Sequence, residues 1–189
     1  MQPLKPRRAI FLGTLLGVCA AVALSQTSRH RGDLLPYLTP DGKLQAPLAF
    51  RDAQDGFAGV SGEVWTIDPG GHLSMARFLN EKTGAPYRER DLTSIEIQTF
   101  VRMLAANHLL ALPGHLGRDV KVNPHVLTLA FGKMKSELTL QAGEAVAEQT
   151  KPPADERQAA AWRDFRSIVR ALQILAKDQD RPRTGAEQR

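Results

Sequence analysis

The stretch Asp55–Gly71, "DGFAGVSGEVWTIDPGG", decides how this chain is read. It holds five glycines, one phenylalanine and one tryptophan. Its second half, "VSGEVWTI" over residues 60–67, has the composition and alternation of a strand. Asp68-Pro69-Gly70-Gly71 then reads as a turn, because proline presets φ at the first central position and glycine tolerates positive φ after it. "HLSMARFL" returns as a second strand, which predicts a hairpin over 60–79. Phe57, between Gly56 and Gly59, stands just ahead of this hairpin. Two readings are open for its ring: a probe offered to a partner, or a plug folded back into one end of the core, with the glycines making the bend. The plug is the simpler of the two.

Downstream, residues 80–91 are polar and read as a loop, with Arg88, Glu89, Arg90 and Asp91 as a solvated charge cluster. A helix is predicted from Ser94 to Leu109. Thr93 and Glu96 have capping-box spacing, and Leu92 and Ile97 the spacing of a hydrophobic staple. Ile97, Phe100, Val101, Leu104 and His108 recur at helical spacing, and "LPGHLG" stops the helix. "HVLTLAF" (125–131) and "SELTLQA" (136–142) read as a second hairpin, with Leu127, Leu129 and Phe131 on one face and Leu138 and Leu140 on the partner's. A last helix starts at the Asp155 cap and carries Trp162, Phe165, Ile168, Val169, Leu172 and Leu175 as an apolar stripe. Hairpin, helix, hairpin, helix predicts an α+β domain: a four-stranded antiparallel sheet with two helices on one face, ββαββα, over residues 47–176. The other face should be solvated, with Glu63, Ser74 and Thr128 on it. Residues 26–46 read as a linker and 177–189 as a disordered tail.

The N-terminus gives an address. "KPRR" precedes the uncharged run Ala9–Ser25, "AIFLGTLLGVCAAVALS", with small residues Ala23 and Ser25 before Gln26. This is the layout of a secretory signal peptide, residues 1–25. As an uncleaved transmembrane helix the run would span about 25 Å, short for a bilayer core of about 30 Å. Both readings, secreted or periplasmic and membrane-anchored, place the domain outside the cytoplasm. The net charge of +5 comes from Lys5, Arg7, Arg8, Arg29 and Arg31, since residues 1–31 contain no acid. The remaining 20 basic residues face 20 acidic ones, so the basicity is not a footprint for nucleic acid.

Chemistry-bearing patterns are sparse. The single cysteine, Cys19, lies in the leader, so the domain has no thiol for a disulfide, a metal or nucleophilic attack. His30, His72, His108, His115 and His125 are not spaced as a metal set. They read as isolated surface or helix-end residues, His108 suiting the negative end of its helix. "GFAGVSG" has neither the lysine nor the strand-then-helix setting of a phosphate loop. No serine stands in a Gly-x-Ser-x-Gly elbow. "VNPH" (122–125) is a turn that steers the chain into the second hairpin, with binding by Asn123 or His125 as the less simple reading. The sequence therefore points away from an enzyme, and to no metal or cofactor.

From Asp55 to Ala142 the chain resembles the emfourin family, on "DGFAGVSGEVWTIDPGG", the capped helix and "LLALPGHLG". In that family a Gly-Gly-Phe-Ala-Gly segment leads into the first strand. Gly56, Phe57, Ala58 and Gly59 match it, while Asp55 stands in place of the first glycine. Secreted bacterial proteins share the pattern. The resemblance implies an α+β fold with an antiparallel sheet, and inhibition of thermolysin-like zinc metallopeptidases. It makes Gly56, Phe57, Ala58 and Gly59 the candidate partner-binding residues. The alternative is an envelope-associated structural or interaction module.

Overall fold

The computed structural model describes residues 34–144 and 155–177. The chain divides into two units, Met1–Pro36 and Tyr37–Arg189, and every element named below belongs to the second. The leader Ala9–Ser25 and the tail beyond Lys177 lie outside the described residues. Among the described residues no helix is long and apolar enough to cross a membrane. The transmembrane, membrane-anchored expectation therefore finds no support among the described residues, and the run on which it rests, residues 9–25, lies outside them.

Seven strands form one mixed sheet: β1 (Leu48–Gln54), β2 (Ser61–Ile67), β3 (His72–Leu79), β4 (Lys82–Asp91), β5 (His115–Gly117), β6 (His125–Phe131) and β7 (Met134–Leu140). Among the described residues two helices accompany it, α1 (Ser94–Ala106) and α2 (Glu156–Lys177), with one 3-10 turn at Leu109–Ala111. The order across the sheet is β4-β3-β2-β1-β6-β7-β5. All neighbours are antiparallel except β5 and β7, which run parallel. The expected four-stranded ββαββα arrangement is thus corrected to a seven-stranded mixed sheet.

Both expected hairpins are present, β2–β3 and β6–β7, the second closed by Gly132-Lys133. What joins them is β1, which lies between β2 and β6 and pairs with each along its whole length. Its sequence, "LAFRDAQ", buries Leu48 and Phe50 on one face but turns polar at Arg51-Asp52, so its period is cut short. β4 replaces the expected loop over residues 80–91. It is an edge strand whose residues are mostly exposed, so it needs no apolar alternation. Its signal is alternation of charge sign. Arg88 and Arg90 pair across from Met75 and Leu73, on the helix side. There Arg88 Nη1 donates to the Ala176 carbonyl at the end of α2 (2.7 Å), and Arg90 meets Glu96 in the first turn of α1 (2.8 Å). Each arginine complements a helix end, one by capping a free carbonyl and one through the capping carboxylate. The residues that alternate with them, Glu89 and Asp91, flank His72 instead.

Directly paired residues share a sheet face. Leu48, Phe50, Trp65, Ile67, Leu73, Met75, Leu127, Leu129, Phe131, Leu138 and Leu140 all fall on one face, and all are buried. Phe50 meets Trp65 edge-on at 5.2 Å. The buried stripes of α1 (Ile97, Phe100, Val101, Leu104) and α2 (Trp162, Phe165, Ile168, Val169, Leu172, Ala176) supply the covering layer. Glu63 lies on this face, opposite Asp52 and Arg77, whereas Ser74 and Thr128 lie on the other. The expected solvated row was therefore out of register by one residue at Glu63. Tyr37 and Leu44, within the stretch read as a linker, are also buried, Tyr37 against Phe131 at 5.7 Å between ring centres.

Helix α1 begins as expected. Thr93 Oγ1 accepts from the Glu96 N–H (3.3 Å), and the Glu96 carboxylate accepts from the Thr93 N–H (2.7 Å). It ends at Ala106, short of Leu109, because Asn107 folds its side chain back to the Met103 carbonyl and His108 takes a left-handed conformation, φ 48°. His108 therefore leaves the helix face, and its Nδ1 lies 3.1 Å from Asp164 of α2. For α2, the Asp155 side chain accepts from the Arg157 N–H at 2.8 Å, the cap expected there.

Candidate functional site

The loop Asp55–Val60 joins β1 to β2 at one end of the sheet. Gly56 to Gly59 is a tight turn, closed by the Gly59 N–H donating to the Gly56 carbonyl at 3.0 Å. Phe57 and Ala58 occupy its two central positions. The Phe57 side chain is wholly exposed, at 110 % relative accessibility. The core-plug reading is therefore incorrect: β1 and β2 continue as paired strands up to Gln54 and Ser61, so the turn projects past the core.

Three attachments hold this loop. On the β2 side, the Val60 N–H donates to Asn80 Oδ1 (3.1 Å) and the Asn80 N–H returns to the Val60 carbonyl. Asn80 sits in the β3–β4 turn with φ 55°, a conformation asparagine tolerates. On the β1 side, the Asp55 N–H donates to the Pro124 carbonyl at 3.0 Å. Beside it, Gln54 Nε2 donates to the carbonyls of Asp55 (2.9 Å) and Asn123 (3.0 Å). The turn itself is started by Asp55 Oδ1, which accepts from the Gly56 N–H at 2.9 Å. Backbone polar groups that an exposed loop would leave to water are thus tied to two neighbouring turns, which restricts its conformations.

The two glycines of the motif do different work. Gly59 has φ +103°, and a Cβ there would collide with Asn80 Oδ1, the acceptor that fixes Val60. Gly56 has no positive φ and room for a methyl group. A third glycine, Gly62, lets β2 approach β1: a Cβ there would strike the Asp52 carbonyl.

Exposed apolar side chains gather around this end. Leu79 immediately precedes Asn80, and Val122 precedes Asn123; both are exposed, alongside Phe57. The three residues come from the three turns that the hydrogen bonds above tie together. Asn123, with φ 47°, serves as a buttress through its carbonyl.

His125 is neither isolated nor at the surface. Its Nε2 lies 2.7 Å from Asp52 Oδ1, its Nδ1 lies 2.7 Å from the Glu144 carbonyl, and its side chain is only 12 % exposed. His72 stays at the surface between Asp91 (2.8 Å) and Glu89 (3.4 Å), which raise its pKa above the ordinary histidine value, Asp91 more than Glu89. Among the described residues no three or more His, Cys, Asp or Glu side chains are placed to hold a metal ion.

Gly56, Phe57, Ala58 and Gly59 thus stand together on one pinned turn. Of the residues that pin it, Gln54 and Asn80 carry no sequence signal for that task; the turn propensity of Asn-Pro pointed to the other two, Asn123 and Pro124, only as a turn. No protein-family model matches the chain, and no curated protein sequence does.

Proposed function

We propose that this chain is a protein-binding domain, not an enzyme, that works outside the cytoplasm and uses the Phe57 turn as its probe. The observation that carries the reading is the conjunction at Phe57: a fully exposed aromatic ring on a backbone tied at both ends. A lone exposed phenylalanine gains nothing from folding, whereas burial in a partner's pocket is worth about 2–3 kcal/mol. A fixed loop keeps more of that gain, because less conformational entropy is lost on docking. Leu79 and Val122, exposed next to the Asn80 and Asn123 that hold the loop, would extend the contact. The composition of the leader supports the address.

The target we infer is a thermolysin-like metallopeptidase, from the resemblance of Gly56-Phe57-Ala58-Gly59 to the emfourin segment. Enzymes of that class accept large apolar side chains beside the scissile bond, and Phe57 suits such a pocket. Gly56 and Ala58 keep the flanking backbone slim enough to enter a cleft. The test is titration of the full chain, without its leader, against a thermolysin-like peptidase. Inhibition at micromolar protein, weakened by about 30-fold or more in Phe57→Ala, is the expected result. No inhibition, or undiminished inhibition by Phe57→Ala, overturns the Phe57-led reading. Absence of inhibition leaves the envelope interaction module as the alternative.

A further inference from the structure

The cross-strand row at the loop end of the sheet runs Leu140, His125, Gln54, Ser61 and Leu79. It joins the Phe57 loop to the turns that hold it, and His125 is its one titratable member. Both ring nitrogens of His125 face atoms that only accept hydrogen bonds: the Asp52 carboxylate and the Glu144 carbonyl, each at 2.7 Å. A neutral imidazole has one N–H, so it can satisfy one of these and must oppose its lone pair to the other. Only the imidazolium satisfies both.

We propose that His125 is a proton-dependent clamp at the base of the Phe57 loop, which fixes the loop while charged and loosens it when neutral. The ring ties β6 to Asp52 of β1, two residues before Gln54, and to Glu144 after β7. The residues before it, Asn123 and Pro124, hold Gln54 and Asp55. Losing either ring bond frees the start of β6, and with it the carbonyls on which the loop rests.

The charges facing the ring agree with this. Asp52 comes from β1 and Glu144 from the segment after β7, while Glu63 of β2 and Arg77 of β3 continue the Asp52 row further away. The Asp52 hydrogen bond raises the pKa of His125 above its ordinary value; burial opposes it, and the Glu144 carbonyl adds to the rise. A raised folded-state value means the clamp contributes fully below about pH 6.5, where the unfolded chain also carries the proton. Its contribution is lost as pH climbs through the folded-state value. For its consequence on binding the inference rests on the Phe57 loop being the probe; the clamp itself is read without a partner.

The test is amide hydrogen exchange of the full chain at about pH 6 and about pH 9, corrected for intrinsic rates, with nitrogen-edited NMR of the His125 ring. Both ring N–H protons should be present at the lower pH. The protection of the Asp55 amide, which donates to Pro124, should fall about tenfold at the higher pH, the size expected for one lost charge-assisted bond. His125→Gln should show low protection at both values. Asp52→Asn, a near-isosteric change, should move the fall to lower pH. Equal protection at both pH values in the native chain overturns the clamp, and so does an unchanged fall in Asp52→Asn. These readouts contain no peptidase, so failure of inhibition and failure of the clamp are told apart.

Discussion

Replacing Phe57 by alanine separates a probe from a plug without knowledge of any partner. Folding removes none of the Phe57 side chain from water, since its relative exposure is 110 %. The transfer and cavity terms that make core Phe→Ala changes cost about 3–5 kcal/mol are therefore both absent. A surface substitution at a turn centre is expected to alter stability by no more than about 0.5 kcal/mol. With a urea dependence of about 2 kcal/mol per molar, the midpoint should move by about 0.25 M or less. Phe165→Ala is the matching positive control, because that ring is fully buried in α2 and should cost about 3–5 kcal/mol, or roughly 1.5–2.5 M. Trp65 and Trp162 are both buried and report unfolding by fluorescence without added labels. A loss above about 2 kcal/mol in Phe57→Ala, at unchanged slope, would mean that the ring packs after all, and the probe reading would fall with it.

Four further substitutions test the loop glycines and the cap of α1. Gly59→Ala should cost about 1–3 kcal/mol through strain at φ +103° and loss of the Asn80 contact, whereas Gly56→Ala should stay within about 0.5 kcal/mol; equal urea midpoints for the two would refute the distinction. Thr93→Ala should cost about 0.5–2 kcal/mol and lower amide protection in the first turn of α1, because the capping box loses its hydroxyl. At Glu96, burial alone would raise the carboxyl pKa, but the Thr93 N–H, the Thr93 hydroxyl and Arg90 outweigh it and hold the value below the ordinary one. The resulting stability is present above about pH 4.3 and is lost as pH falls through the lower folded-state value. Glu96→Gln should therefore flatten the acid limb of the stability profile, read as urea midpoints between about pH 2 and pH 6; an acid limb identical to that of the native chain would refute it.

The elements legible in the sequence were those whose determinants are local. Asp68-Pro69-Gly70-Gly71 makes its turn from its own bonds, including the Gly71 N–H to the Asp68 carbonyl at 3.0 Å. Thr93 and Glu96 cap their helix across three residues, and Asp155 caps the next across two. The apolar faces of β6, β7, α1 and α2 were likewise readable, because burial imposes a period of two or 3.6 along the chain itself.

The misread elements are those defined by neighbours distant in sequence. β1 carries a mixed pattern because half of its length meets the core and half the loop end, yet it is the strand that fuses two hairpins into one sheet. β4 looks like a polar loop because an edge strand can be exposed along its length; its arginines acquire meaning only from Ala176 and Glu96. β5 is three residues long and exists only through its pairing with β7.

The same division runs through the candidate site. By itself the sequence determined that Gly56-Phe57-Ala58-Gly59 would be a bend at the mouth of a strand, because glycine content and the strand pattern after it are local properties. Whether the Phe57 ring turned inward or outward was a tertiary decision. It was made by Gln54 reaching Asn123 across 69 positions and by Val60 reaching Asn80 across 20, contacts whose strength depends on geometry that no short window of sequence contains. His125 and Asp52, 73 positions apart, became a hydrogen-bonded pair for the same reason: strand pairing placed β6 beside β1 and brought the two side chains within hydrogen-bonding distance.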